Sequence, residues 1–173
     1  MQFEVIKKCP YGHINLPSRA TIYSAGYDFE CAADTTIMPF GIALIPTGVK
    51  CKMDNDYYLQ LAIRSSIPKK KGLILANGVG IIDADYYGNP DNDGHIMFQV
   101  YNINKQPITI KKGERIGQGV FIKYGIVDND AAKGIRLGGF GSSDRETALK
   151  NMFAIPLAST ATVVVPKQTI HEI

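Results

Sequence analysis

The chain has 173 residues, 45% of them hydrophobic, and a mean hydropathy of -0.04, values typical of one globular domain with a core. Its net charge of +3 and pI of about 8.7 are only mildly basic, without the dense basic stripe of a nucleic-acid-binding protein. No apolar run approaches the roughly 18 residues that a membrane span needs. We therefore expect neither nucleic acid nor a membrane as a partner.

The cysteines and histidines predict neither a disulfide framework nor a zinc site. Each type occurs three times, without the paired spacing of metal ligands. The cysteines are Cys9, Cys31 and Cys51, and the histidines are His13, His95 and His171. Unpaired cysteines and an N-terminus too polar for a signal peptide favour a cytoplasmic protein.

Alternating apolar and polar residues predict a chain built mostly of short β-strands. In chain order these are residues 41–50, 57–63, 95–103 and 119–124. In the second of them Leu59 and Leu61 share one face, and the other face can present Arg64. Turns rich in glycine, proline and asparagine separate the strands. Many short strands of this kind predict an all-β sandwich, jelly roll or barrel.

The C-terminal part of the sequence has a different character. Residues 136–143 are dense in glycine, as in a flexible arm. Ser143 and Glu146 then resemble a capping box, which predicts a short helix ending near Met152. Residues 161–165 are apolar enough for one last strand. No internal repeat or interdomain linker is evident.

Residues 80–88 hold two acids and two tyrosines on a segment that resembles a β-hairpin, entered through residues 77–80. The glycines there allow a flat ligand to approach the backbone closely, and a carboxylate such as Asp83 can act as a general base. A plain β-hairpin also uses Asp and Gly in its turn, and this segment taken alone favours that simpler interpretation.

Three further segments hold residue types that bind phosphate. Residues 64–66, Arg-Ser-Ser, offer a guanidinium and two hydroxyls, although the same residues suit a capped turn at the end of a strand. Residues 112–118 combine cations with glutamine, but a basic turn entering a strand is an equally ordinary explanation. Residues 136–143 can fold over a phosphate with Phe140 stacked on a base, or can form a simple linker.

Taken together and in this order, these segments resemble the five motifs of the trimeric dUTPase family. The matching segments are residues 25–29, 64–66, 77 with 80–88, 112–118 and 136–143. The resemblance covers residues 1–143 and leaves residues 144–173 as an extension of unknown role. It implies a distorted jelly-roll or β-clip barrel that forms homotrimers. It also implies hydrolysis of dUTP to dUMP and pyrophosphate, which limits uracil incorporation into DNA and supplies dUMP for dTMP synthesis.

The third motif of the family implies residues that recognise the nucleoside and begin the reaction. Asp83 would be the general base that activates water for attack on the α-phosphorus. Asn77 and the backbone at Gly80 and Ile82 would recognise uracil, in a slot too narrow for the methyl group of thymine. Tyr86 would pack against the deoxyribose and leave no room for a 2′-hydroxyl.

The second and fourth motifs imply the triphosphate site. Arg64, Ser65, Ser66 and Gln118 would hold the α- and β-phosphates. In this family Mg²⁺ is coordinated mainly by the triphosphate, with protein contacts made through water, and Asp28 of the first motif would be its outer-shell partner. Each site in such a trimer draws on three subunits, so the resemblance implies that a lone monomer is inactive.

The fifth motif implies an arm, within residues 134–143, that closes over the γ-phosphate and the uracil. Its expected contact residues are Arg136, Phe140, Gly141, Ser142 and Ser143. Here the chain departs from the family pattern, because one residue rather than two separates Arg136 from the glycine pair and Asp144 replaces the usual glycine. An acidic residue beside a γ-phosphate is electrostatically unfavourable, and 30 further residues follow an arm that usually ends the chain.

Three other functions share parts of this pattern. A dCTP deaminase has the same fold and a similar Arg-Ser-Ser segment, but it carries a catalytic glutamate where this chain has Gln99, and glutamine cannot act as a general base. A dUTPase-fold protein with a regulatory protein partner would use residues 89–94 or the C-terminal extension as its contact surface. A jelly-roll ligand-binding module without chemistry would leave the ordered motifs unexplained.

Overall fold

The computed structural model describes residues 1–136 together with Gly138 and Gly139, so the predicted C-terminal helix and last strand lie outside the described residues. The strands are β1 (Gln2–Val5), β2 (Ser18–Arg19), β3 (Tyr27–Glu30), β4 (Thr35–Ile37), β5 (Ile42–Pro46), β6 (Val49–Lys52), β7 (Tyr57–Ile63), β8 (Leu73–Leu75), β9 (Gly80–Asp83), β10 (Met97–Asn102), β11 (Ile108–Ile110) and β12 (Arg115–Lys123). The helical elements are α1 (Ser66–Lys71) and a 3-10 turn (Ala84–Tyr86). In this part of the chain no helix is long and apolar enough to cross a bilayer, and all three cysteines are free.

The strands form four antiparallel sheets. The largest has the order β2-β3-β12-β7-β9, and a three-stranded sheet has the order β5-β10-β8. Two further pairs join β1 to β6 and β4 to β11. Most strand neighbours are distant in sequence, as in a jelly roll. This nearly all-β arrangement confirms the predicted fold class.

The alternating pattern of β7 sends its apolar residues into the core. Leu59 and Leu61 are buried, whereas Tyr58 and Gln60 are only half-buried on the opposite face. Full burial of a leucine side chain stabilises the fold by about 1.5–3 kcal/mol. The strand predicted for residues 57–63 is therefore confirmed, with both its bounds and its buried face.

Strand β12 lies between β3 and β7, and its glycines allow aromatic rings to pack directly on its backbone. A Cβ atom at Gly117 would lie 2.1 Å from Cε1 of Phe98 and 2.7 Å from the carbonyl oxygen of Ala62. Phe98 and Phe29 are both fully buried, with ring centroids 5.6 Å apart. The aromatic core therefore excludes any side chain at position 117.

Residues 41–50, predicted as one strand, form two strands in different sheets. The chain turns at Gly48, which has a left-handed backbone conformation with φ of 71°. The Nε2 atom of the buried His95 ring accepts hydrogen bonds from the backbone N–H groups of Thr47 and Gly48, at 3.2 and 2.8 Å. This long-range contact stabilises the turn between β5 and β6, which the apolar pattern of the segment does not predict.

Residues 66–71 form α1, which the sequence pattern does not predict. Ile67 is its single buried residue, so the segment shows no helical periodicity. The helix ends at Gly72, whose N–H donates to the carbonyl of Pro68 and whose φ of 59° is left-handed. Three lysines occupy the last turn, where positive charge is favourable.

The hairpin predicted for residues 77–88 is wrong in its pairing. Strand β8 pairs with β10, whereas β9 pairs with β7 in another sheet. Gly78, with φ of 72°, turns the chain between them, and its N–H donates to the carbonyl of Leu75. The 3-10 turn after β9 then buries Tyr86. The segment therefore crosses from one sheet to another, and its polar residues lie where the two sheets meet.

Candidate functional site

A cavity of about 170 Å³ opens where β9 approaches strands β8 and β10. We call the predicted residues that line it the Asp83 group: Asn77, Gly80, Ile82, Asp83, Tyr86 and Arg136. The structure places these six residues around one cavity within a single chain. Apolar side chains from β8 and β10 complete the wall, so the lining combines apolar and polar groups. Such a lining is typical of sites for small molecules.

The free edge of β9 forms one side of the cavity. β9 is the last strand of the five-stranded sheet, and Gly80 pairs with Leu61 of β7 on its inner side. Along its outer side, β9 has no strand partner among the described residues. Backbone N–H and C=O groups on that side can therefore pair with a ligand. A flat molecule with polar edges suits this arrangement.

Tyr86 forms a second wall and is held firmly. Its side chain is 5% exposed, and its hydroxyl donates to the carbonyl of His95 at 3.3 Å and accepts from Nδ2 of Asn92 at 2.7 Å. Burial raises the pKa of Tyr86, so the hydroxyl remains neutral near pH 7. The backbone of Gly139 packs on the ring, where a Cβ atom would lie 2.8 Å from Cε2 of the tyrosine.

Asp83 ends β9 at the rim of the cavity, with a side chain that is 47% exposed. The guanidinium of Arg136 donates to the carboxylate of Asp83 and, at 2.7 Å, to Oδ1 of Asp85. Its central carbon also lies 6.0 Å from the centroid of the Tyr86 ring. The sequence assigns Arg136 to a phosphate, whereas the structure pairs it with two carboxylates.

A second cluster, which we call the Asp28 group, consists of Asp28, Arg64, Arg115 and Gln118. Nε of Arg64 lies 3.4 Å from one carboxylate oxygen of Asp28, and Nη1 of Arg115 lies 3.1 Å from the other. Gln118 is directly opposite Asp28 across β3 and β12. Its side chain fills the space over Gly26, where a Cβ atom would lie 2.2 Å from Oε1. The first, second and fourth motifs therefore meet in this cluster.

Ser65 and Ser66 follow Arg64 at the start of α1. Ser65 is exposed and occupies the N-cap position, but its side chain makes no capping hydrogen bond. Its hydroxyl is therefore not committed to the helix. Both serines directly follow Arg64 of the Asp28 group in the chain.

The donor set of the Asp28 group limits how a metal ion can bind. Asp28 is 15% exposed and already forms ion pairs with Arg64 and Arg115. Within residues 1–136 and the following glycine pair, no cluster of three or more His, Cys, Asp or Glu residues could hold a metal. A cation bound here would therefore take most of its ligands from a bound molecule and from water. That requirement fits Mg²⁺ bound to a triphosphate and water, with Asp28 as an outer contact.

The two groups lie apart within one chain. Asp83 is opposite Tyr58 in the pairing of β9 with β7. Arg64 follows Tyr58 by six residues, which is roughly 20 Å along an extended strand. The groups also line separate cavities. One chain therefore does not bring all the predicted residues together.

Some predicted residues cannot be placed, and others were missed by the motifs. Phe140, Gly141, Ser142 and Ser143 lie outside the part of the chain that the structure describes. Gln99, noted only for the deaminase alternative, lines the same cavity as Asp83. Its position in β10, between the half-buried Met97 and Tyr101, is a period-2 signal that could have found it.

Comparisons with known proteins find one matching family. A family model described as dUTPase matches residues 12–144. The deoxyuridine 5′-triphosphate nucleotidohydrolase of Lactococcus lactis subsp. lactis is 48% identical over 143 residues, which cover 82% of this chain and 95% of that protein. The enzyme of the same name from Chromobacterium violaceum is 37% identical over 139 residues, covering 76% and 89% respectively.

Solved structures of dUTPases also resemble this chain. The crystal structure of dUTPase from Streptococcus mutans aligns with a TM-score of 0.70 at 44% identity, covering 75% of this chain and 100% of that one. The dUTPase of Staphylococcus bacteriophage 80alpha, at 21% identity and a TM-score of 0.62, shares the fold over 78% of this chain and 97% of its own. These matches favour the hydrolase over the deaminase alternative. The chain belongs to the dUTPase family.

Proposed function

We propose that Asp83 is the general base for the hydrolysis of dUTP, in a site where the Asp83 group of one subunit meets the Asp28 group of another. The reaction converts dUTP to dUMP and pyrophosphate. The observation that carries the proposal is the single cavity lined by Asp83, Tyr86 and the free edge of β9. A carboxylate, a flat wall and unpaired backbone groups together suit a nucleotide whose phosphate chain leaves the cavity at Asp83.

In this proposal the nucleoside is recognised by shape and by backbone hydrogen bonds. Uracil binds along the free edge of β9 at Gly80 and Ile82, with Asn77 at the end of the slot. The Tyr86 ring lies against the sugar, and a 2′-hydroxyl would collide with it. Backbone recognition can discriminate strongly, because a wrong base leaves buried polar groups unpaired.

The chemical step needs a base and neutralised phosphates rather than a nucleophilic side chain. Asp83 accepts a proton from water as the water oxygen attacks the α-phosphorus, and the bond to the β-phosphate oxygen breaks to release pyrophosphate. Arg64, Ser65, Ser66 and Gln118 bind the α- and β-phosphates. Mg²⁺ bound to the triphosphate would offset its negative charge, and Asp28 would hold the water shell of the ion.

The arm completes the site in this proposal. Arg136 leaves the carboxylates of Asp83 and Asp85 when a triphosphate offers it a stronger anion. Phe140 would stack on uracil. The segment of Gly141, Ser142 and Ser143 would close over the γ-phosphate. The contact of Arg136 with Asp83 in the structure supports this role, because it brings the arm to the rim of the cavity.

A homotrimer is the assembly that we propose. The outer face of the β5-β10-β8 sheet carries the exposed side chains of Ile42, Leu44 and Ile74, which are 58%, 40% and 39% accessible. Tyr101 is paired with both Ile42 and Ile74, so these side chains share one face. Several exposed apolar side chains grouped on one face in this way are typical of a protein interface. Other copies of the chain would cover it and would bring the two groups together.

The role of Asp83 is tested by the change Asp83→Asn. We expect kcat to fall by about 10²–10⁴-fold, the usual contribution of a general base. Binding of a non-hydrolysable dUTP analogue should change little, because the amide has almost the shape of the carboxylate. Pyrophosphate release measures turnover, and calorimetry measures binding.

The matched control is Asp56→Asn, which removes the charge of a 49% exposed aspartate paired with Lys123 at the surface. This control should retain normal turnover. Near-normal turnover of the Asp83→Asn variant would disprove the assignment of the base. A parallel assay with UTP, dCTP, dTTP and a chelator measures the substrate and Mg²⁺ requirements of the wild type.

A regulatory protein partner is a second role that we keep as a hypothesis. Phage dUTPases are described as controlling the transfer of virulence genes. The 21% identity to the enzyme of phage 80alpha carries only the fold to this chain. Affinity capture with the Asp83→Asn protein would test the idea directly. If no protein is retained in stoichiometric amounts, the hypothesis of a regulatory partner is wrong.

A further inference from the structure

The loop of residues 89–94 lies directly behind Tyr86 and is anchored on both sides. Asp93 accepts hydrogen bonds from a backbone N–H of the N-terminal segment at 2.8 Å and from the buried Lys50 ammonium at 2.9 Å. Asp93 and Gly94 both have left-handed backbones, with φ of 60° and 79°. A Cβ atom at Gly94 would lie 2.5 Å from the carbonyl oxygen of Tyr86. The loop therefore packs closely against the residue that forms the sugar wall.

Asn92 connects this loop to Tyr86 through its side chain and its backbone carbonyl. Its backbone carbonyl accepts from the N–H of His95 at 3.1 Å, and its Oδ1 accepts from the N–H of Gly94 at 3.1 Å. Its Nδ2 donates to the hydroxyl of Tyr86 at 2.7 Å. That hydroxyl then donates to the carbonyl of His95 at 3.3 Å. Asn92, Tyr86 and His95 thus close a ring of hydrogen bonds.

This ring fixes the far end of the Tyr86 side chain. A hydroxyl that both accepts from Asn92 and donates to His95 has one favourable position, so the aromatic ring cannot tilt away from the cavity without breaking a buried hydrogen bond. We propose that Asn92 is a positioning residue that holds Tyr86 against the sugar and thereby sets the discrimination between deoxyribose and ribose nucleotides. The inference rests on the role proposed above for Tyr86.

Asn92 could instead serve only to stabilise its own loop, through the bond to Gly94. The change Asn92→Ser separates the two roles. A serine hydroxyl can still accept from the N–H of Gly94, as Ser commonly does in turns, but it is too short to reach Tyr86. The change Asn92→Asp is the conservative counterpart. A carboxylate fits the same space and accepts a hydrogen bond from the N–H of Gly94. It can also accept a hydrogen bond from the hydroxyl of Tyr86.

The experiment is a double-mutant cycle of Asn92→Ser and Tyr86→Phe. For each protein, kcat and KM are measured with dUTP and with UTP by pyrophosphate release. We expect Asn92→Ser to lower the ratio of kcat/KM for dUTP over UTP by roughly tenfold, within the coupling energies found for contacting residues. The effect should disappear when position 86 is already Phe, because the hydroxyl on which Asn92 acts is absent. Asn92→Asp should restore most of the discrimination.

Two controls make the result decisive. Asp91→Asn changes an exposed neighbour in the same loop and should leave the dUTP-to-UTP ratio unchanged. Tyr86→Ala tests the underlying role, because unchanged discrimination in that variant would disprove the sugar wall itself. If Tyr86→Ala loses discrimination but Asn92→Ser retains it, the positioning role of Asn92 alone is wrong. Equal effects of Asn92→Ser with Tyr and with Phe at position 86 would also overturn it.

Discussion

His95 shows how one buried side chain can connect stability, pH and the site. Its ring is 6% exposed, and burial lowers its pKa to about 4. Nε2 accepts two backbone hydrogen bonds at the turn between β5 and β6, so this nitrogen must be unprotonated. The carbonyl of the same residue accepts from the hydroxyl of Tyr86. Protonation of His95 would therefore disturb both the turn and the wall of the cavity.

The folded state should lose stability between pH 6.5 and 4 because of His95. An unfolded histidine binds a proton near pH 6.5, whereas the folded one resists protonation until about pH 4. The unfolded state thus gains protons first as the pH falls, and the stabilisation that is complete above pH 6.5 declines on acidification. The loss amounts to about 3 kcal/mol per subunit.

The matched variant is His95→Gln, whose Oε1 can accept the same two backbone bonds but does not titrate. We expect its melting temperature to be lower than that of the wild type at pH 7.5 but to fall less between pH 6.5 and 4. Thermal unfolding followed by circular dichroism measures both slopes at a fixed protein concentration. Parallel pH curves for the two proteins would rule out His95 as the titrating group.

At the scale of elements, β12 depends on glycine rather than on strand propensity. Gly117 is the third residue of the strand, and a Cβ atom there would meet the Phe98 ring. Glycine is normally unfavourable in a strand interior, so its presence indicates that close packing outweighs its entropic cost. The same strand carries Arg115 and Gln118 of the Asp28 group. Displacement of β12 would therefore move site residues as well as core residues.

We expect Gly117→Ala to destabilise the protein by about 1–3 kcal/mol, the usual effect of overpacking a core. Adding Phe98→Leu should recover part of this loss by making room. Gly125→Ala is the control, because a Cβ atom there meets nothing within 4 Å and the backbone is not left-handed. Urea titration measures the free energy of unfolding of the three variants. An unchanged urea midpoint for Gly117→Ala would contradict the packing argument.

The elements that the sequence predicts best are those whose pattern is local. β7 alternates so regularly that its bounds follow from Tyr57 to Ile63. Helix α1 has one buried residue and therefore no period to detect. Asp83 and Tyr86 were predicted through their motif, whereas Asn92 was not. Its contact depends on the left-handed backbone at Asp93, which no residue pattern specifies.

At the scale of the whole molecule, the separation of the Asp83 and Asp28 groups underlies our proposal that each catalytic site forms between subunits. Asp83 pairs opposite Tyr58, and Arg64 follows Tyr58 by six residues, so the two side chains belong to separate groups within one chain. A symmetric trimer in which each interface joins one group of each kind gives three complete sites. The apolar face of the β5-β10-β8 sheet offers the surface for such contacts. Dissociation should therefore abolish activity without unfolding the subunit.

Mixing two inactive variants tests this shared site. Asp83→Asn and Arg64→Ala proteins are co-refolded in equal amounts, so that each trimer draws both kinds of subunit. Roughly a quarter of the sites should then combine an intact Asp83 from one subunit with an intact Arg64 from its neighbour. Pyrophosphate release should recover to that level. No recovery in verified mixed trimers would mean that both residues act from the same chain.

The contact between Arg136 and Asp83 in the free protein has a consequence for selectivity by phosphate number. In the proposed mechanism, Asp83 is released only when a ligand offers the Arg136 guanidinium a better anion than the carboxylates of Asp83 and Asp85. A nucleoside cannot do this, and dUMP carries a single phosphate next to its sugar. The proposed mechanism therefore predicts weak inhibition by dUMP and a selection for longer phosphate chains that precedes the chemical step.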